Sequence, residues 1–248
     1  MRSYRHDRLL TPCKRLTCRR RFGLLGSRSG VAAIEFALIL PTIVSMLAAL
    51  FDITNGYIAS LRVNYCAQAI DQIATAEAAG STTTNTLNLS QVSTAASAVY
   101  GYLPNLLSAS PPNFGAVISS VAMTPTVTGC TSGCTYTAHV AWSGNYLGSL
   151  GALRPCDITQ GVSVITATTN TQTPSPTTLP SSVYSAAPLL VVDITYTFTP
   201  TFFSFITSSF TISQSAYFAP RTGLANNWIQ YVYAAPDSTV LCTGYPSA

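Results

Sequence analysis

The chain has 248 residues, of which 48% are hydrophobic and only 8% charged, and its formal net charge is +4. This composition excludes a chain held open by its own charge, and the absence of Asp, Glu, Lys and Arg between Gly80 and Arg154 leaves that stretch little with which to hold phosphate or activate a substrate. The charge is also uneven: Arg2, Arg5, Arg8, Lys14, Arg15, Arg19, Arg20, Arg21 and Arg28 face only Asp7, giving +8, whereas Arg62, Arg154 and Arg221 face seven acids, giving −4.

Residues 1–30 read as a basic leader without apolar periodicity. Next comes a run of 21 residues, 31–51, opening at Val31 and closing at Phe51, whose single ionisable side chain is Glu35. At 1.5 Å per residue such a helix spans roughly 31 Å, close to the hydrocarbon thickness of a bilayer. A removable signal peptide has a shorter apolar region followed by a small-residue cleavage site, so the run reads as a single-pass transmembrane anchor. The excess of Arg before it places the N-terminus in the cytoplasm and the C-terminal mass across the membrane. The same basic head is compatible with contact to anionic lipid. No nucleic-acid-binding fold surrounds it, so no nucleic-acid partner is expected.

The helical pattern continues past the membrane. Ile53, Tyr57, Leu61, Tyr65, Ala69 and Ile73 recur every four residues and predict an amphipathic stalk over 31–79, ended by Gly80. Pro41 falls inside the membrane part, where a helix tolerates it, often with a kink. Ala32, Ala33, Ala37, Ser45, Ala48 and Ala49 are small enough to let a partner helix approach. A second, shorter helix is expected from Ser90, as its cap, to Leu107, with Val92, Ala96, Val99, Tyr100 and Leu103 on the buried side.

From Phe114 the period changes to two. Strands are expected around Val117 to Met123 and Tyr136 to Trp142, joined by a turn holding Cys130 and Cys134, then over 161–168, 189–198 and 209–218. A Pro/Thr loop fills 171–180, and Trp228 to Tyr233 packs back on the sheet. The fold class is therefore α+β, with a leader (1–30), a membrane and stalk helix (31–79) and a mainly antiparallel exported domain with one additional helix (80–248).

Seven cysteines divide by compartment. Cys13 and Cys18 lie in the reducing head, while Cys66, Cys130, Cys134, Cys156 and Cys242 reach an oxidising space. Cys130 with Cys134 and Cys156 with Cys242 are the pairings that suit the strand pattern, leaving Cys66 odd, but five cysteines do not fix a connectivity.

Gly30-Val-Ala-Ala-Ile-Glu35-Phe-Ala-Leu-Ile-Leu-Pro41 resembles the opening of the TadE/TadG-like proteins of tight-adherence (Flp) pilus systems. More broadly, basic residues before Gly30, with Glu five places after it, resemble the processing site of type IV prepilins. Val192 to Pro200, Thr211-Ile-Ser213 and Phe218-Ala-Pro-Arg221 are similar to the closing strands of the same family, so the resemblance covers about 23–70 and 188–223. It implies a bacterial inner-membrane protein whose exported domain is periplasmic or surface-associated. Its partners would be other pilus assembly proteins and pilin helices, with a prepilin peptidase cutting between Gly30 and Val31. Glu35 would then pair with the free amine of a neighbouring subunit's Val31. An external domain of about 170 residues makes the chain an assembly component or minor pseudopilin rather than the shaft subunit.

No catalytic motif appears. His139 alternates with apolar residues and reads as a satisfied structural imidazole, Asp157 as a loop cap and Asp193 as a strand-edge charge; neither an enzyme, a metal site nor a cofactor is expected. The alternative function is an uncleaved, membrane-tethered adhesin module binding a surface or glycan, for which Trp142, Tyr146 and Trp228 are candidates, although core packing is the commoner fate of such rings. A tethered hydrolase built on His139 and Asp157 has no supporting constellation.

Overall fold

The computed structural model describes residues 28–80, 85–104, 112–156, 163–202, 208–220, 228–235 and 237–248. Cys13, Cys18, Asp157 and Arg221, and all of the basic leader before Arg28, lie outside the described residues.

Helix α1, Arg28–Gly80, runs unbroken for 53 residues with Pro41 inside it. The chain divides into two compact units between Leu47 and Ala48. In the first, every side chain over 31–47 is exposed. In the second, α1 becomes a core element, burying Ala59, Val63, Cys66, Ala67, Ile70, Ala74 and Ala78.

That buried face corrects the expected apolar stripe. Ile53, Tyr57, Leu61 and Tyr65 are 69%, 65%, 37% and 54% exposed, and Ala69 and Ile73 are only half-buried. A strict four-residue step turns about 40° further round a helix at each repeat, whereas steps of three and four hold one face. Small side chains on the held face then let the helix lie close to the sheet. At Gly56 a Cβ would already stand 3.3 Å from Phe210 Cζ.

After α1 come β1 (Thr86–Asn88), α2 (Leu89–Ser97) and a single further turn, α3 (Val99–Tyr102). Helix α2 is capped by Asn88 and not by Ser90: Asn88 accepts from the Gln91 backbone N–H while the Gln91 side chain accepts from the Asn88 N–H, a reciprocal box that Ser90 has no partner to form. Val92, Val99 and Leu103 are buried, and Tyr100 is half-buried.

The main sheet is built from β2 (Phe114–Pro125), β3 (Tyr136–Gly148), β4 (Ser163–Thr168), β5 (Thr178–Pro180), β6 (Leu189–Phe198) and β7 (Phe210–Phe218) in the spatial order β5-β4-β3-β2-β6-β7. All neighbours in that order are antiparallel except β4 and β5. Strand β5 lies within the expected Pro/Thr loop; its pairing with β4 replaces the tail of that loop. The segment around Trp228 forms β8 (Gln230–Val232), which runs parallel to β1, and β9 (Val240–Leu241) adds to β3.

Strand β2 lies between β3 and β6 and is buried along ten consecutive residues, Ser119 and Ser120 included, so the expected period of two does not hold along it. On one face, Phe114, Ile118, Trp142, Leu190, Val192 and Ile194 pack in a core shared with α1 and α2. On the other, Val121, Met123, Val140, Val191, Ile165 and Leu179 form a second core closed by Cys242. Register shifts at Ala116/Val117 and Ser120/Val121 change which β2 side chains serve which face.

Cys130 is bonded to Cys134 in the β2–β3 turn, with Cα atoms 5.8 Å apart. Cys156 is bonded to Cys242, with Cα atoms 5.5 Å apart across 86 residues, and holds the C-terminal tail beside β3. Cys66 is free and buried on α1, where desolvation pushes its thiol up to about 12.

Candidate functional site

The sequence-derived site residues Gly30, Val31 and Glu35 all lie on α1, with the Gly30–Val31 peptide inside its first turns. The most apolar window of this helix has a mean hydropathy of 2.2 and none of it is buried. An α-helix satisfies its own backbone hydrogen bonds, so a bare apolar helix of this kind suits a hydrocarbon solvent. Among the described residues one helix, near the N-terminus, is thus long and apolar enough to span a membrane. Glu35 is exposed on it among Val31, Ile34, Phe36, Leu38 and Ile39.

The apolar run ends inside the second unit at Phe51, and Asp52 marks the change. Asp52 is buried, and its carboxylate accepts the backbone N–H of Thr201 at Oδ1 and of Phe202 at Oδ2, both at 3.0 Å. The preceding Phe51 meets the Phe202 ring edge-to-face with centroids 5.4 Å apart. The chain leaving β6 is therefore tied to the last turn of the apolar run. Beside this corner, Ile53, Gly56 and Tyr57 of α1 face Phe198 and Phe210 across a groove of about 630 Å³ with almost wholly apolar walls.

Deeper in the domain α1 presents a third carboxylate. Asp71 is fully buried, and neither oxygen has a hydrogen-bond partner among the described residues. Burial holds its carboxyl well above the usual carboxylate range; the Asp193 charge pushes the same way, and the Phe218 amide, near but outside hydrogen-bonding geometry, pulls weakly against.

Asp193 itself is not a strand-edge charge. It sits on β6, flanked by β2 and β7, and receives Arg154 through Nε at 2.7 Å and Nη2 at 2.9 Å. The Ser215 hydroxyl also donates to it. Arg154 is buried and spends Nη1 on the carbonyls of Pro176 and Thr178, so the cluster is satisfied and locks β5, β6 and β7 together. The signal for this pair was the arginine itself: a lone cation closing a long uncharged stretch has to find an acid or face water.

His139 departs from expectation differently. Its Nδ1 is buried without a hydrogen-bond partner among the described residues, and desolvation lowers its pKa. The candidate sugar-binding rings are scattered. Trp142 is in the core with Nε1 donating to the Ile229 carbonyl at 2.7 Å, Trp228 packs edge-on against Tyr245, and Tyr146 bonds Thr239. Among the described residues no three His, Cys, Asp or Glu side chains converge to hold a metal.

No curated protein and no solved structure matches the chain. One family model does, described as TadE-like protein, over residues 30–70. This span contains Gly30, Glu35, the whole apolar run and the first turns of α1 that dock on the sheet, up to Ile70. Over residues 30–70 the N-terminal helix of this protein is thus similar to the TadE-like proteins.

Proposed function

We propose that the protein is a membrane-anchored assembly component or minor pseudopilin of a tight-adherence pilus, working in pilus biogenesis and adherence without catalysis of its own. The observation that carries this reading is the coincidence of the TadE-like match with a single helix whose apolar, unburied part is long enough to span a bilayer. The basic leader sits in the cytoplasm, the helix crosses the inner membrane, and the α+β domain is exported.

In this reading a prepilin peptidase cuts between Gly30 and Val31. The new Val31 amine lies four residues from Glu35, one helical turn, so amines and carboxylates of adjacent subunits can pair across a helix interface. An unpaired carboxylate in hydrocarbon costs a few kcal/mol. Attraction at low dielectric is strong, and a docked pair removes that penalty from both partners. Partners are then other pilus assembly proteins and pilin helices in the same membrane.

N-terminal sequencing and intact mass of protein recovered from membranes provide the test. A start at Val31 is expected; an intact leader overturns the processing step and leaves a tethered scaffold or adhesin. Glu35→Ala is expected to insert normally yet reduce pilus output at least severalfold, and normal pilus output from this variant overturns the pairing mechanism.

A further inference from the structure

The corner where the apolar run ends has a composition the assembly reading does not use. Phe202 is 52% and Phe210 47% exposed, although each touches another ring: Phe202 meets Phe51, and Phe210 packs on Phe198 with centroids 5.2 Å apart. Ile53 and Tyr57 leave α1 on the groove side and are bare as well. Between Asp193 and Arg221 the sequence contains no Asp, Glu, Lys, Arg or His, so no charge on this hairpin opposes an apolar surrounding. Among the described residues Asp52 is the one acid lining the groove, and its two oxygens receive the Thr201 and Phe202 amides.

The position of this surface is fixed by connectivity. Ile53 and Tyr57 follow Phe51 by two and six residues, roughly 3 and 9 Å along a helix. The polar interfacial layer beyond the hydrocarbon on each side is of the same order, about 5 to 8 Å. Groove and corner thus begin at the depth where aromatic rings concentrate in membrane proteins. Phe202 cannot rise far from that level, because its own amide and ring are held by the two residues that end the run.

We propose that this corner is a second membrane contact: the Phe202 ring lies at the headgroup–acyl boundary of the leaflet on the domain's side, and a phospholipid acyl chain occupies the groove of Ile53, Gly56, Tyr57, Phe198 and Phe210. The proposal rests on the membrane-anchor reading. It adds that the exported domain is seated on the bilayer at its β6–β7 end and does not merely hang from its helix.

The test uses the full chain in phosphatidylcholine vesicles, with lipids brominated near the carbonyl or near the chain end as fluorescence quenchers. Four single variants carry the reporter: Leu38→Trp in the run, Phe202→Trp at the corner, Phe210→Trp in the groove and Val164→Trp on exposed β4, each after subtraction of the parent signal from Trp142 and Trp228. Leu38→Trp and Phe202→Trp should both be quenched severalfold more than Val164→Trp, Phe202→Trp best by bromine near the carbonyl, and Phe210→Trp by either lipid. Quenching of Leu38→Trp alone overturns the second contact while the anchor stands. Quenching of neither Leu38→Trp nor the corner overturns both. Blue-shifted but unquenched emission at positions 202 and 210 overturns the lipid in favour of a protein cover. If a ring replacement at the corner aggregates, Ile53→Trp reads the same depth from an exposed site.

Discussion

Asp71 gives the most direct test of how α1 is docked. A carboxyl that is fully buried without a hydrogen-bond partner is held in its neutral form, so its folded-state pKa lies above the ordinary value of the unfolded chain, near 3.9. Between those two values the folded state carries one more proton than the unfolded state. Stability contributed by this group is therefore fully present below the unfolded pKa and falls as pH rises toward the folded one, by about 1.4 kcal/mol per pH unit for a single proton. Asp71→Asn keeps the shape of the protonated acid and removes the titration. The assay is equilibrium denaturation of the full chain in detergent, parent against variant, at closely spaced pH values from 4 upward. His139 titrates with the opposite sign and is present in both proteins, so its effect cancels in the difference. The variant should gain on the parent by about 1.4 kcal/mol for each pH unit above 4 until the parent's Asp71 ionises. Parallel curves across pH 4 to 6 would refute the claim that the buried carboxyl is neutral, and with it the packing of this face of α1.

Three further outcomes follow from the same contacts. Replacing Arg154 with Met leaves Asp193 without its cation in a mostly buried site and should cost about 3 kcal/mol in denaturant unfolding; Arg154→Met with Asp193→Leu should recover most of it, and no recovery would mean the arginine acts by packing alone. In the loop-entropy picture the Cys156–Cys242 bond, closing 86 residues, contributes about 4.6 kcal/mol, and Cys130–Cys134, closing a loop of four, about 2 kcal/mol; the drop in Tm on removing each bond with paired Ala substitutions should keep that order. His139 has its pKa lowered by burial, so the unfolded chain binds its proton first and stability falls as pH drops below about 6.5; His139→Gln should flatten that part of the curve, measured by the same denaturation series.

What could be read from the sequence was set by how local each signal is. The apolar run, a strand opening at Phe114, the Cys130–Cys134 turn and the strand over 189–198 depend on neighbours in sequence, and the structure has each of them. The face of α1 was misread, because Ile53, Tyr57 and Tyr65 are bulkier than Gly56, Ala59, Ala67 and Ala74, which dock with Val63 and Ile70; the distance the sheet allows favours the small side chains. Asp193 was misplaced for a similar reason. A carboxylate in a strand reads as an edge until the arginine 39 residues away is seen to reach it. The corner at Asp52 joins residues about 150 apart and left no trace in either local segment.

The carboxylates of α1 show how one continuous helix serves two surroundings. Glu35 stands exposed among apolar side chains, and the proposed function gives it a partner on a neighbouring helix. Asp52, at the end of the run, receives two backbone amides from the chain leaving β6 and so has its charge met by peptide dipoles. Asp71 is buried with no hydrogen-bond partner among the described residues, and burial raises its pKa instead. Glu77, exposed, takes the Gln91 side chain at 3.4 Å. The helical backbone is the same throughout; what changes among the described residues is how each acid is compensated. Under the proposed function, Glu35→Ala is therefore expected to leave the isolated protein unchanged and to act only where a second helix brings a positive charge.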